Sequence, residues 1–158
     1  MKMFITILII TFSLQATAQK VFTVKFHNLK RKPIIEAQVN GKKAYFLIDT
    51  GADISILNTD DAKKYGFKNL RMMGPDQVLT GLGSSTEEFW RASKANVKVG
   101  GHIIYARFYS VDIQNVIDSL FENTNIRILG ILGSDVLMNY SMKIDYQLGQ
   151  LSMSPRHP

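Results

Sequence analysis

The chain contains no cysteine. That excludes disulfides, a thiolate nucleophile and any cysteine-ligated zinc. Its three histidines, His27, His102 and His157, are far apart in sequence and show no metal-ligand spacing. The pair Met72-Met73 reads as packing rather than as a copper-binding box. No Gly-x-Ser-x-Gly elbow occurs; the nearest serine cluster, Gly83-Ser84-Ser85, lacks that frame. There is no internal repeat, linker or low-complexity segment. No metal and no cofactor are expected.

What is present is apolar residue in quantity, 46% of the chain, so disorder is not the default. A length of 158 residues suits one domain with a real core and is too short for two full lobes. The net charge of +6 comes from scattered Lys and Arg, the densest run being Lys30-Arg31-Lys32. Such charge attracts polyanions. No aromatic-interleaved basic stripe or nucleic-acid motif accompanies it, so it reads as a solvated basic surface and no nucleic-acid partner is expected.

The first residues have the form of an export signal. Met1-Lys2 is a short positive region, Met3 to Leu14 is apolar, and Ala16-Thr17-Ala18 is an A-x-A site before Gln19. The apolar stretch is shorter than the ~20 residues of a spanning helix. The expected division is a signal peptide over residues 1–18 and one domain over residues 19–158. The expected location is periplasmic or secreted, with no stable membrane span after signal removal.

The rest reads as short strands with a few short helices. Val21 to Phe26 alternates as a half-buried strand does. Ile34 to Val39 is a second strand, and Asn40-Gly41 supplies a two-residue type I′ turn into Lys43 to Ile48. Asn58 or Thr59 is placed to cap a short helix closed by Gly66. Residues 74 to 87 are loop-like. Strands are expected around Glu88 to Ala92, at Ala95 to Val99 and at Ile103 to Val111. Val116 to Phe121 reads as helix and Ile128 to Leu132 as an apolar strand. Ser134 is placed to cap a further helix, and a last hairpin turns around Leu148-Gly149.

The chemistry concentrates at Asp49-Thr50-Gly51-Ala52-Asp53. An apolar run, Tyr45-Phe46-Leu47-Ile48, delivers a carboxylate onto a tight glycine-containing loop. An isolated Asp-Thr-Gly is a weak signal, and an Asx-turn uses the same residues. Its context is stronger: Ile131-Leu132-Gly133 forms a second apolar strand end some 80 residues on. The motif occurs once, so chemistry with two carboxylates requires a second chain.

With those residues the sequence resembles the retropepsin-like aspartic proteases. Three segments carry the resemblance: Leu47 to Asp53, Thr80-Gly81-Leu82-Gly83, and Ile131 to Leu137. It spans roughly Ile34 to Met153. The resemblance implies an all-β fold, a closed, mostly antiparallel barrel-like sheet with a few short helices. It implies Asp49 as the catalytic acid of each subunit, with Thr50 and Gly51 in the active-site loop. Thr50 would then tie the two loops together across a homodimer axis. Ala52, Asp53, Gly81 and Gly83 are candidate substrate contacts, the two glycines at a flap that bends over a peptide or protein substrate.

A water held between two carboxylates about 3 Å apart is the chemistry such a dimer would perform, because carboxylates that close share one proton. The ionised member takes a proton from water and the protonated member hydrogen-bonds the scissile carbonyl. Gly51 is expected to adopt dihedrals that a side chain forbids. Family members often pair the acid at the Asp53 position with an arginine after the second motif's glycine. Here that place holds Ser134. Asp135 is expected as a first-turn helix acid. The rival reading is a non-catalytic protein on the same fold that binds a peptide or partner in its cleft.

Overall fold

The computed structural model describes residues 21–29, 32–72 and 89–154. The proposed leader and the flap glycines Gly81 and Gly83 lie outside the described residues. Twelve strands are described: β1 Phe22–Leu29, β2 Lys32–Val39, β3 Lys42–Ile48, β4 Ile56–Asn58, β5 Lys68–Arg71 and β6 Trp90–Ser93, then β7 Val97–Val99, β8 His102–Ile103, β9 Tyr109–Val111, β10 Gly130–Leu132, β11 Lys143–Asp145 and β12 Gln150–Met153. The helices are α1 Ala62–Tyr65, preceded by a 3-10 turn over Thr59–Asp61, then α2 Gln114–Thr124 and α3 Ser134–Asn139. The all-β class holds.

The strands run along one path, β11-β12-β1-β2-β3-β10-β4-β9-β6-β5, with β7 joined to β2 and β8 to β7. Among the described residues this path does not close on itself. Its end strand β5 carries exposed Lys68, Leu70 and Arg71, and charged edges of this kind resist further pairing. Two pairings are parallel, β3 with β10 and β4 with β9, and the rest are antiparallel.

Both faces of the central strands are buried, which is why they read as continuous apolar runs rather than as alternation. Ile35, Phe46, Ile48, Leu57 and Leu132 enter a larger core that also holds Val97, Val99, Leu151 and Met153. Their immediate neighbours Ile34, Leu47, Ile56 and Ile131 enter a second core on α2, with Ile113, Ile117 and Leu120. Ala52 and Ile54, from the loop after β3, pack on this second core.

The β2–β3 turn forms as expected, with Asn40 at φ 50° and Gly41 at φ 80°. Asn40 also serves as a tether. Its Nδ2 donates to the Lys94 and Tyr65 carbonyls at 2.8 and 3.0 Å, and its Oδ1 accepts from the Asn96 amide at 2.9 Å.

Four expectations need correction. Asn58 does not cap the helix after it, because its side chain is drawn inward: Nδ2 donates to Asp61 at 2.9 Å and Oδ1 accepts from the Ile113 amide at 3.3 Å. Thr59 is the first residue of the 3-10 turn, and α1 starts after Asp61. Ile103 to Val111 is not one strand; it breaks into β8 and β9 around buried Ile104 and Phe108. Ser134 is the first residue of α3, not its cap, and its hydroxyl turns toward the Asp49 loop. Gly66 does close α1 in a left-handed conformation, with its N–H on the Ala62 carbonyl at 2.8 Å.

Candidate active site

Parallel pairing aligns Leu132 with Ile48, so β3 and β10 end level with each other. Asp49 is the first residue beyond β3, and its N–H donates to the Leu132 carbonyl at 3.1 Å. The acid is thus fixed to the sheet by its own backbone. Its side chain then organises the turn: Asp49 Oδ1 accepts from the Gly51 N–H at 2.9 Å. The Ala52 N–H returns to the Asp49 carbonyl at 3.3 Å. Asp49 is half-buried, while Thr50 and Gly51 are exposed. One carboxylate is held at the surface on a rigid turn.

The α3 end braces this turn from the other side. The Ser134 N–H donates to the Ala52 carbonyl at 2.7 Å, and the Asp135 N–H to the Asp53 carbonyl at 3.2 Å. Ser134 Oγ donates to the Thr50 carbonyl at 3.0 Å. The serine in the arginine's place therefore holds the loop backbone instead of pairing with Asp53. Asp53 is exposed and makes no ion pair among the described residues.

Beneath lies a residue that no motif singles out. Ser55 is fully buried. Its Oγ accepts from the Gly133 N–H at 2.9 Å and donates to Asp135 Oδ1 at 2.7 Å. The same Asp135 oxygen accepts from the Val136 N–H at 2.8 Å. Asp135 is thus occupied in structural bonds, as its place in the first turn suggests. The sequence does hold a signal for Ser55: a lone hydroxyl inside the apolar run Ile54-Ser55-Ile56-Leu57 must find partners once buried.

Glycine matters here at positions other than the expected one. Gly51 lies outside the left-handed region, and a Cβ there would meet only Asp49 Oδ1, at 3.3 Å. At Gly133 a Cβ would stand 2.6 Å from the Ile54 carbonyl oxygen and 2.7 Å from that of Ala52. At Gly130 it would stand 2.1 Å from the Ile56 carbonyl oxygen. The close approach that glycine permits is between β10 and the chain leaving the loop.

A second buried network ties the far ends of the same strands. Asp61 accepts from Arg127 Nη1 at 2.8 Å and from Asn58 Nδ2. It links the turn after β4 to the segment entering β10. Neighbouring Tyr65 has its phenol pushed above the ordinary value by burial, with the Asp61 charge adding to the effect and Arg127 opposing it. Among the described residues no group of three or more His, Asp or Glu side chains could hold a metal ion.

The family model described as "gag-polyprotein putative aspartyl protease" matches residues 35–139, a span that contains the Asp49 loop, β10 and α3. The chain belongs to the retropepsin-like aspartic protease family. A curated relative, the retrovirus-related Pol polyprotein from transposon 412 of Drosophila melanogaster, is 28% identical over 127 residues. That alignment covers 80% of this chain and 9% of the polyprotein, so the chain spans a small part of its relative's length. Among solved structures, a retropepsin-like aspartic protease from Rickettsia conorii aligns with a TM-score of 0.52 at 20% identity, covering 85% of this chain and 89% of that one. The retroviral protease-like domain of Ddi1 from Leishmania major gives a TM-score of 0.52 at 22% identity, covering 78% and 88%. The EIAV protease in complex with the inhibitor HBY-793 gives 0.50 at 24% identity, covering 71% and 90%. At these identities the structural matches speak to the fold.

Proposed function

We propose that this chain is an exported aspartic endopeptidase whose active site forms between two copies. The observation that carries the proposal is the Asp49 turn: a single half-buried carboxylate, fixed to two parallel strand ends through its backbone. One carboxylate cannot both activate water and donate to a carbonyl. Two copies related by a twofold axis through the Thr50 side of the loop supply both roles. Thr50 is exposed, as a residue that reaches a second subunit must be. Rigid support of the turn suits the close placement that a shared proton requires.

In the reaction, the ionised Asp49 takes a proton from the bound water while its protonated counterpart hydrogen-bonds the scissile carbonyl. Water adds to the carbonyl carbon and gives a tetrahedral gem-diol. Proton transfer to the leaving nitrogen then breaks the C–N bond and restores the shared proton. Asp53 and Ala52 border the loop where an extended substrate would lie. Export rests on the amino-terminal pattern alone.

The decisive test combines hydrolysis with dilution. The chain lacking residues 1–18 is incubated with a peptide library across pH, and its specific activity is tracked against concentration. Activity should be bell-shaped in pH and fall on dilution through the dimer dissociation constant. Full activity from a species that sediments as a monomer contradicts the shared site. The competing reading, a peptide-binding protein on this fold, draws on Asp53, which has no ion-pair partner among the described residues. It requires peptide binding without cleavage at any concentration or pH.

A further inference from the structure

Charge is not evenly spread along this basic chain. Residues 91–107 carry Arg91, Lys94, Lys98 and Arg107 and no acid. Residues 108–126, which form β9 and α2, carry Asp112, Asp118 and Glu122 and no Lys or Arg. Three of the four cations in the first stretch share one surface.

Arg91, Lys94 and Arg107 line one open groove of about 380 Å³ between the β6–β7 connection and the β8–β9 connection. Beneath it Ala92, Ile104 and Phe108 are buried in the larger core. Tyr105, 61% exposed, and Ile103 stand at its side. No carboxylate lines it, and none of its three cations has an ion-pair partner among the described residues. The walls are held in place: the Ala92 N–H donates to the Phe108 carbonyl at 3.0 Å, and the Tyr105 N–H to Tyr140 Oη at 2.5 Å. No residue of the Asp49 loop takes part.

We propose that this groove is a docking site for an acidic, extended polypeptide segment, separate from the Asp49 site. Three cations without ion-pair partners among the described residues, beside exposed Tyr105 and Ile103, match a segment that alternates carboxylates with apolar side chains. The exposed Tyr105 ring offers one flat apolar surface. Nucleic acid fits less well: a strand binder uses a series of aromatic faces along a basic track, and this groove offers one exposed ring. The proposal is independent of whether Asp49 cleaves peptide bonds.

The test uses the Asp49→Asn protein, so that bound peptide stays intact. Binding of a fluorescein-labelled peptide alternating Glu with Leu is measured by anisotropy, beside a single-stranded oligonucleotide of equal charge. The double variant Arg91→Ala/Arg107→Ala should weaken peptide binding at least tenfold. The control Lys63→Ala/Lys143→Ala, two exposed cations outside the groove, should change it less than twofold. Circular dichroism checks that both variants fold. An equal loss in the control would reduce the effect to net charge and overturn the proposal. So would tighter binding of the oligonucleotide with the same dependence on Arg91 and Arg107, or peptide binding indifferent to both arginines.

Discussion

Strands β3 and β10 lie side by side, run the same way and end level, yet the residues beyond their ends are opposite in kind. After β3 come half-buried Asp49 and exposed Thr50 and Gly51, on a turn with space around it. After β10 comes Gly133, buried and pressed against two carbonyl oxygens, then the start of α3. One strand end presents a side chain to the outside. The other spends all its freedom on supporting it. The proposed chemistry and the constraint are separated by one strand spacing, so they are open to separate perturbation.

The largest expected effects lie on the two sides of that divide. Asp49→Asn keeps the shape of the turn and, under the proposed mechanism, removes the base and the shared proton. Hydrolysis should fall roughly 10³-fold or more, with an unchanged melting temperature. Gly130→Ala should do the reverse. Its Cβ would stand 2.1 Å from the Ile56 carbonyl oxygen, so β10 and β4 must separate. A loss on the order of 3 kcal/mol is expected, at the upper end of overpacking costs, read as a drop in the denaturant midpoint. Gly51→Ala should cost under about 1 kcal/mol, because its Cβ meets only a side-chain oxygen at 3.3 Å. If Gly51→Ala unfolds the protein as readily as Gly130→Ala, the division between the two strand ends is wrong.

This division is only partly legible in the sequence. The unbroken apolar stretch Tyr45 to Ile48 and the run Ile128 to Leu132 announce the two central strands, because burial on both faces erases alternation. Asn40-Gly41 announces the hairpin, because two consecutive positive φ angles have few other sources. Peripheral strands are harder to read. Strand β5, Lys68–Arg71, is short and largely exposed, and its sequence carries no apolar pattern. Cap signals mislead where a buried network competes for the same side chain, as at Asn58. Ser134 misleads because its hydroxyl has a loop carbonyl to reach. The Asp49 loop is legible as a motif, while its support is not: Ser55 and Asp135 are 80 residues apart and meet where β4 pairs antiparallel with β10.

Ser55 joins the two sides and so tests whether they communicate. Ser55→Ala leaves the Gly133 N–H without its partner and takes one donor from Asp135. The cost should be about 2 kcal/mol for an unsatisfied buried group, less than that of Gly130→Ala. Activity should fall further than stability alone explains at temperatures where the variant remains folded, because Ser134 and Asp135, which follow Gly133, hold the Ala52 and Asp53 backbone. Ser55→Thr, which keeps the hydroxyl, should recover most of the activity if the added methyl is accommodated. A variant with lowered stability but wild-type kcat would show that the brace serves folding and not the site.

The smallest effect belongs to the end of these strands remote from Asp49. Tyr65 is buried, donates its Oη–H to the Lys43 carbonyl at 3.2 Å, and has its phenol raised above the ordinary value by that burial. In the unfolded chain the phenol loses its proton near the ordinary value of about 10. In the folded chain it holds the proton to higher pH. The folded state therefore binds more protons between those two values, and stability must fall as pH rises through that window. Below the unfolded value the contribution is fully present and stability does not depend on this group. Denaturant midpoints measured from neutral pH upward should decline above about pH 10, and Tyr65→Phe should flatten part of that decline while slightly lowering stability at neutral pH. The variant should leave the acidic limb of the activity profile untouched, because the phenol does not titrate there. An alkaline decline identical in Tyr65→Phe would assign the loss to other groups. A shifted acidic limb would mean that the core around Tyr65 and the Asp49 turn are coupled, and that the two ends of β3 do not act separately.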